Sequence, residues 1–202
     1  MTRSETYKLV IIPDQFVGKD FKGFGKKDAM LYLDWFLSIA PERMNQLRNE
    51  IVKNWENWEM DYSRESLNVV QEWFEQNIAE RSKTDEEKRG DSDQIKGTKF
   101  EGIIDANTKV IDEKTVSVCF DVGFYFAECL RKKKPDLKWK PCLSPKSNVN
   151  YGHPILATDT SRMGLNARSI MQVNAQKKLK ENVNEKQHHS FMKLFDIWDK
   201  LF

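Results

Sequence analysis

Residues that announce chemistry are scarce in this chain. Three cysteines and three histidines are spread over 202 residues. Cys119, Cys129 and Cys142 are odd in number and lack CxxC spacing, so neither a disulfide framework nor a zinc site is indicated. Cys119 and Cys129 lie in an apolar run and read as buried thiols of a reducing compartment. His188 and His189 are adjacent and point to different sides of a helix, and no HExxH pattern accompanies them. His153, before Pro154, has no nucleophile at a readable spacing. The glycine-containing stretch GKDFKGFGKK follows neither the GxGxxG nor the GxxxxGK[ST] order, so it reads as a turn-rich lead into a helix. No metal site and no cofactor is indicated.

Long apolar runs are lacking too. The opening MTRSETYKLVIIPDQF offers only Leu9 to Ile12 before Pro13, far short of the roughly 18 residues of a membrane span. The expectation is a protein without a membrane partner that stays where it is made, in the cytoplasm.

What is present suits an ordinary packed core: 39% hydrophobic and 11% aromatic residues argue against general disorder, and 32% charged residues give a solvated surface. The length fits one domain, 1–202, able to bury a sizeable core without staples. Net charge is only +2, but residues 1–114 hold 18 cations and 23 anions, while residues 115–202 hold 15 and 8. Such polarity can steer a partner onto one face, or draw the two halves together.

Periodicity divides the chain into a helical part, 1–80, a polar connection, 81–111, and a mixed part, 112–202. KKDAMLYLDWFLSIA sets Ala29, Leu33, Phe36 and Leu37 on one helical face and is expected to close at Pro41. PERMNQLRNEIVKNWENW restarts with proline in a first turn, so the two segments predict a helical hairpin. DYSRESLNVVQEWFEQNI, capped by Asp61 or Ser63, predicts a third helix burying Leu67, Val70, Trp73, Phe74 and Ile78. AERSKTDEEKRGDSDQIKGTKFEG is polar and reads as a solvated loop at a lobe boundary. From about Asp112 to Lys133 an apolar stretch predicts a central buried helix, and Gly123 within it points to the close approach of another backbone. Pro141, Pro145, Gly152 and Pro154 punctuate short strands, and two helices follow. The fold class is α+β, mainly helical, with a small antiparallel sheet packed on the central helix.

Asp121 and Glu128 lie seven residues apart, on one helical face about 10 Å from each other, with Tyr125 between them. Two carboxylates at such a spacing can divide acid and base roles. The simpler reading makes Asp121, Tyr125 and Glu128 a structural polar seam, whose carboxylates accept hydrogen bonds from backbone donors or an arginine. The stretch RKKKPDLKWKP places Arg131, Lys132, Lys133, Lys138 and Lys140 around Trp139, a pattern able to meet phosphates and stack a base. Lysines at a helix C-terminus also simply favour the helix dipole. Most tryptophans fall on apolar stripes, but Trp58, beside Trp55, is a candidate exposed anchor of a protein interface.

Several stretches carry a family likeness. GKDFKGFGKKDAMLYLDWFLSIAPERMNQL, DYSRESLNVVQEWF, SVCFDVGFYFAECL, LKWKPCLSPKSNVNYGHPIL and LFDIW together resemble, in that order, a group of uncharacterised bacterial cytoplasmic proteins of about this length. Where that group commonly has Gly before the glutamate of the central helix, Ala127 stands here before Glu128. The resemblance implies an α+β fold and no reaction, and it implies immunity-like partners of secreted toxins. The expected function is therefore non-enzymatic protein binding, most specifically an immunity protein whose partner is a cognate toxin, with Trp58 and the Arg131 to Lys140 stretch as candidate contacts. The alternative is a nucleic-acid-associated protein using that same basic stretch.

Overall fold

The computed structural model describes residues 7–98, 108–161, 163–180 and 190–202. His188 and His189 lie outside them. Among the described residues the order is α1 (Lys26–Ile51), α2 (Leu67–Asn77), β1 (Glu80–Ser82), α3 (Asp85–Ile95), β2 (Lys109–Ile111), α4 (Glu113–Lys133), β3 (Lys138–Pro141), β4 (Pro154–Ala157), α5 (Ala167–Lys180) and α6 (Phe191–Leu201). The fold is mainly helical α+β, with two antiparallel two-stranded sheets, β1–β2 and β3–β4.

Helix α4 is the axis. Its apolar residues are not confined to one stripe, and an all-round apolar helix has to be surrounded. Helices α1, α2, α5 and α6 pack on it, and its residues from Val118 to Ala127 are all buried. Asp112 caps its start by accepting from the Thr115 N–H at 2.7 Å, and Arg131, Lys132 and Lys133 sit in its last turn, where the dipole favours cations. The main hydrophobic cluster draws on both ends of the chain, joining Phe36, Leu47 and Trp73 to Phe120, Leu156 and Phe195.

Gly123 of α4 lies against the first turn of α5. A Cβ there would meet the Arg168 backbone nitrogen at 3.0 Å and the Ala167 carbonyl carbon at 3.1 Å, both main-chain atoms that cannot swing aside. Alanine improves helix propensity by about 1 kcal/mol, but crowding of this kind typically costs about 1–3 kcal/mol. Gly123→Ala is therefore expected to lower the thermal midpoint and to loosen α5, measured by calorimetry and by faster amide exchange in α5.

Helices in the first half depart from the sequence reading. The expected hairpin around Pro41 is one continuous helix, α1, with Pro41 inside it. An interior proline costs about 3 kcal/mol. Burial of Met44, Leu47 and Ile51 beyond it contributes about 1.5–3 kcal/mol for each side chain, which outweighs that cost. Pro41 and Leu37, whose carbonyl loses the helical bond, both lie on the solvent side. Leu37, expected in the core, is exposed. The helix also ends at Ile51, before Trp55 and Trp58. Helix α2 starts one turn after the expected caps. Asp61 and Ser63 instead build turns, accepting from the N–H groups of Ser63 and Ser66.

The polar connection is not a plain loop. Thr84 and Glu87 form a reciprocal capping box that starts α3, and Arg81 bridges Glu87 on α3 to Glu113 on α4. Strands β1 and β2 pair across it, from Glu80 opposite Ile111 to Ser82 opposite Lys109.

In the second sheet Pro141 faces Pro154 at one end of the ladder, where no donor is required of either. This sheet leans on α1 and reaches α4 through Trp139, whose ring meets Phe36 edge-on at 5.2 Å and Phe124 at 6.4 Å.

Candidate functional site

The three residues of the expected seam separate into three environments. Asp121 is fully buried, and its two carboxylate oxygens accept from Arg43 Nε at 2.6 Å and Nη2 at 2.7 Å. The Tyr7 hydroxyl donates to the same carboxylate. Arg43 Nη1 then donates to the Lys8 carbonyl at 2.6 Å and to Gln46 Oε1 at 3.1 Å. This cluster ties the N-terminal segment and α1 to α4. Burial pushes the Asp121 carboxyl up to about 6, against the opposing pull of Arg43 and Tyr7.

Tyr125, one turn along the same face, meets a different segment of the chain. Its hydroxyl lies 2.6 Å from Ser66 Oγ and accepts from the Tyr62 N–H at 3.2 Å. Tyr62 holds φ +56°, a left-handed conformation that a bulky residue adopts only under constraint. Its ring packs on Tyr125 with centroids 5.4 Å apart. Glu128 is part-exposed and pairs with Arg131, three residues on, at 2.9 Å.

The basic stretch is divided and engaged. Lys132 Nζ donates to the Asp61 carbonyl, and Lys133 pairs with Asp199 at 2.6 Å. Lys138 pairs with Asp159 at 2.7 Å, and Lys140 donates to the Thr158 carbonyl at 2.7 Å. With one edge of Trp139 held against Phe36 and Phe124, no row of free cations flanks an open aromatic face here.

Lys132 and Tyr125 border a different feature, which the chain between α1 and α2 forms. Side chains drawn from the stretch between Asn54 and Val69 line an open groove of about 770 Å³ with Trp55 and Trp58 in its wall. Glu56, Glu59, Asp61 and Glu65 are its carboxylates, all four exposed, and no lysine or arginine is among its described lining residues, although Arg64 beside it pairs with Glu65 at 3.5 Å. The Trp58 ring sits 5.6 Å from Tyr125, so the groove floor rests on α4. The Ser63 backbone N–H holds the Asp61 carboxyl below its usual range. Thus Trp58 and Lys132 come together around the segment joining α1 and α2, while Lys138, Trp139 and Lys140 belong to the sheet. Sequence reasoning took Asp61 only as a helix cap and passed over Glu56, Glu59 and Glu65, although NWENWEMDYSRES interleaves all four with both tryptophans.

His153 belongs to neither set. It stacks on Phe21 with ring centroids 3.7 Å apart, and burial, helped by the charge of Arg168, pushes its imidazole down to about 4. The folded state therefore binds this proton more weakly than the unfolded chain, where the value is near 6.5. The stabilisation is complete above pH 6.5 and is lost as pH falls toward 4, about 1–2 kcal/mol of it between pH 7 and 5. His153→Phe keeps the stacking, so thermal midpoints of the variant are expected to fall less than those of the wild type over that interval.

Among the described residues no group of three or more His, Cys, Asp or Glu side chains is placed to hold a metal, and no helix is long and apolar enough to cross a membrane. Comparison of the chain with protein-family models, with curated proteins and with solved structures found no match.

Proposed function

We propose that this protein is a non-enzymatic binding module, and specifically an immunity protein that neutralises a bacterial toxin domain by covering its active surface. The observation that carries this reading is the groove between α1 and α2, in which two tryptophans stand among four carboxylates with no cation among its described lining residues. Half-buried tryptophan supplies large contact area at low entropic cost, and tryptophan is enriched among the residues that dominate binding energy. Exposed carboxylates around it speed and orient encounter with a cationic partner surface. An inhibitor of this kind needs contact residues, not reacting ones. Asp121 suits that account, because both its oxygens are committed to Arg43 and Tyr7 in a fully buried position.

Nucleic-acid binding through Arg131 to Lys140 has weaker support, since Arg131, Lys133 and Lys138 hold intramolecular ion pairs and Lys132 and Lys140 donate to backbone carbonyls. Binding to a polyanion would have to displace these contacts before releasing counterions.

The test is capture from the native cell lysate with the tagged full chain, alongside a Glu56→Lys/Glu59→Lys variant that leaves the packing of Trp58 intact. The expected result is one stoichiometric protein partner on the wild type, toxic when expressed alone, and its loss on the variant. Recovery of nucleic acid, or equal recovery on both baits, would contradict the proposal.

A further inference from the structure

A second groove lies on another part of the surface, between α5 and α6, and its chemistry is the reverse of the first. About 340 Å³ in volume, it is walled by Ile170 and Val173 from α5 and by Leu194 and Ile197 from α6, with Lys177 and Lys193 at its edges. Val173 is 45% exposed, Ile197 54%, and Leu201, one turn beyond Ile197 on the same stripe, 47%. Helix α6 is apolar on two sides. Phe191 and Phe195 are buried in the core, while half-buried Leu194 and exposed Ile197 and Leu201, at spacings of three and four, make a second stripe that turns outward along the helix. Its own carboxylates point elsewhere, Asp196 to Arg64 at 2.6 Å and Asp199 to Lys133 at 2.6 Å. Among the described residues the groove therefore presents apolar walls and two cations, with no carboxylate in its lining. Lys177 and Lys193 have no ion-pair partner among the described residues.

We infer that the α5–α6 groove is a docking site for an acidic amphipathic helix of a protein partner. The walls match the apolar face of such a helix, with anchors three and four residues apart, and the lysines match glutamates or aspartates flanking that face. An eleven-residue α6 is about 16 Å long, which sets the footprint at about three turns of partner helix. This site is separate from the acidic groove and does not depend on it. A partner segment that fits one is repelled by the other.

The test is a display library of random 16-residue peptides selected on the full chain, with recovered peptides then measured by fluorescence anisotropy. Recovered sequences are expected to be acidic, with apolar residues at helical spacing. Their affinity is expected to fall at least tenfold on Ile197→Glu and on Lys177→Glu/Lys193→Glu. Ile197, Lys177 and Lys193 are all exposed, so unchanged circular dichroism and thermal midpoints separate lost binding from lost fold. Recovery of no such peptides, or equal binding to wild type and variants, would overturn the inference. So would binding of vesicles of anionic phospholipid that the same substitutions abolish while no peptide binds, since the occupant would then be a membrane surface.

Discussion

Arg43→Met is expected to destabilise the protein by about 3–5 kcal/mol, because it strands a buried carboxylate without its counterion. For a chain of this size that lowers the thermal midpoint by roughly 10 °C. Asp121 has no solvent access and no cation other than Arg43 within hydrogen-bonding distance among the described residues. The Tyr7 hydroxyl supplies a hydrogen bond but no charge. The penalty should belong to the stranded charge more than to the lost guanidinium packing. Adding Asp121→Asn to Arg43→Met removes that charge, so the double variant should melt above Arg43→Met alone. A double variant no more stable than the single would show that the pair contributes through packing, and that the charge matters little.

The second large effect concerns binding. Trp58→Ala is expected to weaken capture of the protein partner by about 30-fold or more, equivalent to about 2 kcal/mol, mainly through faster dissociation. Charge reversal at Glu56 and Glu59 should act on the other rate, slowing association and flattening its dependence on ionic strength. Stopped-flow measurement with the captured partner separates the two. Because Trp58 also packs on Tyr125, a fall in the thermal midpoint of Trp58→Ala has to be checked beside the rates. The charge variant carries no such complication.

How far these features were legible in the sequence depends on whether their causes are local. Helix α4 was readable because an all-round apolar run with an acidic cap has one comfortable environment, the centre of a core. Gly123 was readable for the same reason, since a helical glycine amid large apolar neighbours implies something close against it, and α5 is what lies there. Pro141 and Pro154 marked the strand ends correctly. Pro41 misled, because a local rule ended a helix that tertiary burial of Met44, Leu47 and Ile51 carries onward. Helix α3 was missed although Thr84, Asp85, Glu86 and Glu87 spell a capping box, since no apolar stripe follows to draw attention to it.

The candidate site was harder. That a buried Asp121 needs an arginine follows from electrostatics, but nothing local says that the arginine is Arg43, 78 residues away. The basic stretch looked like one patch because its residues are neighbours in sequence. Pro135 ends the helix between them, so Arg131 to Lys134 go with α4 and its neighbours, and Lys138 and Lys140 with the sheet. The acidic groove is the converse case. Its residues are also neighbours in sequence, yet they became visible as a surface only once α1 was seen to stop at Ile51 and free Trp55 and Trp58 from a helical stripe.

The most direct measurement is growth protection. The captured partner is expressed from an inducible promoter together with wild-type protein or with Glu56→Lys/Glu59→Lys, after the two have been shown to melt at the same temperature. Growth restored by the wild type and not by the charge variant is the predicted result. Equal protection by both, or a partner that harms no cell when expressed alone, would contradict an immunity function seated in this groove.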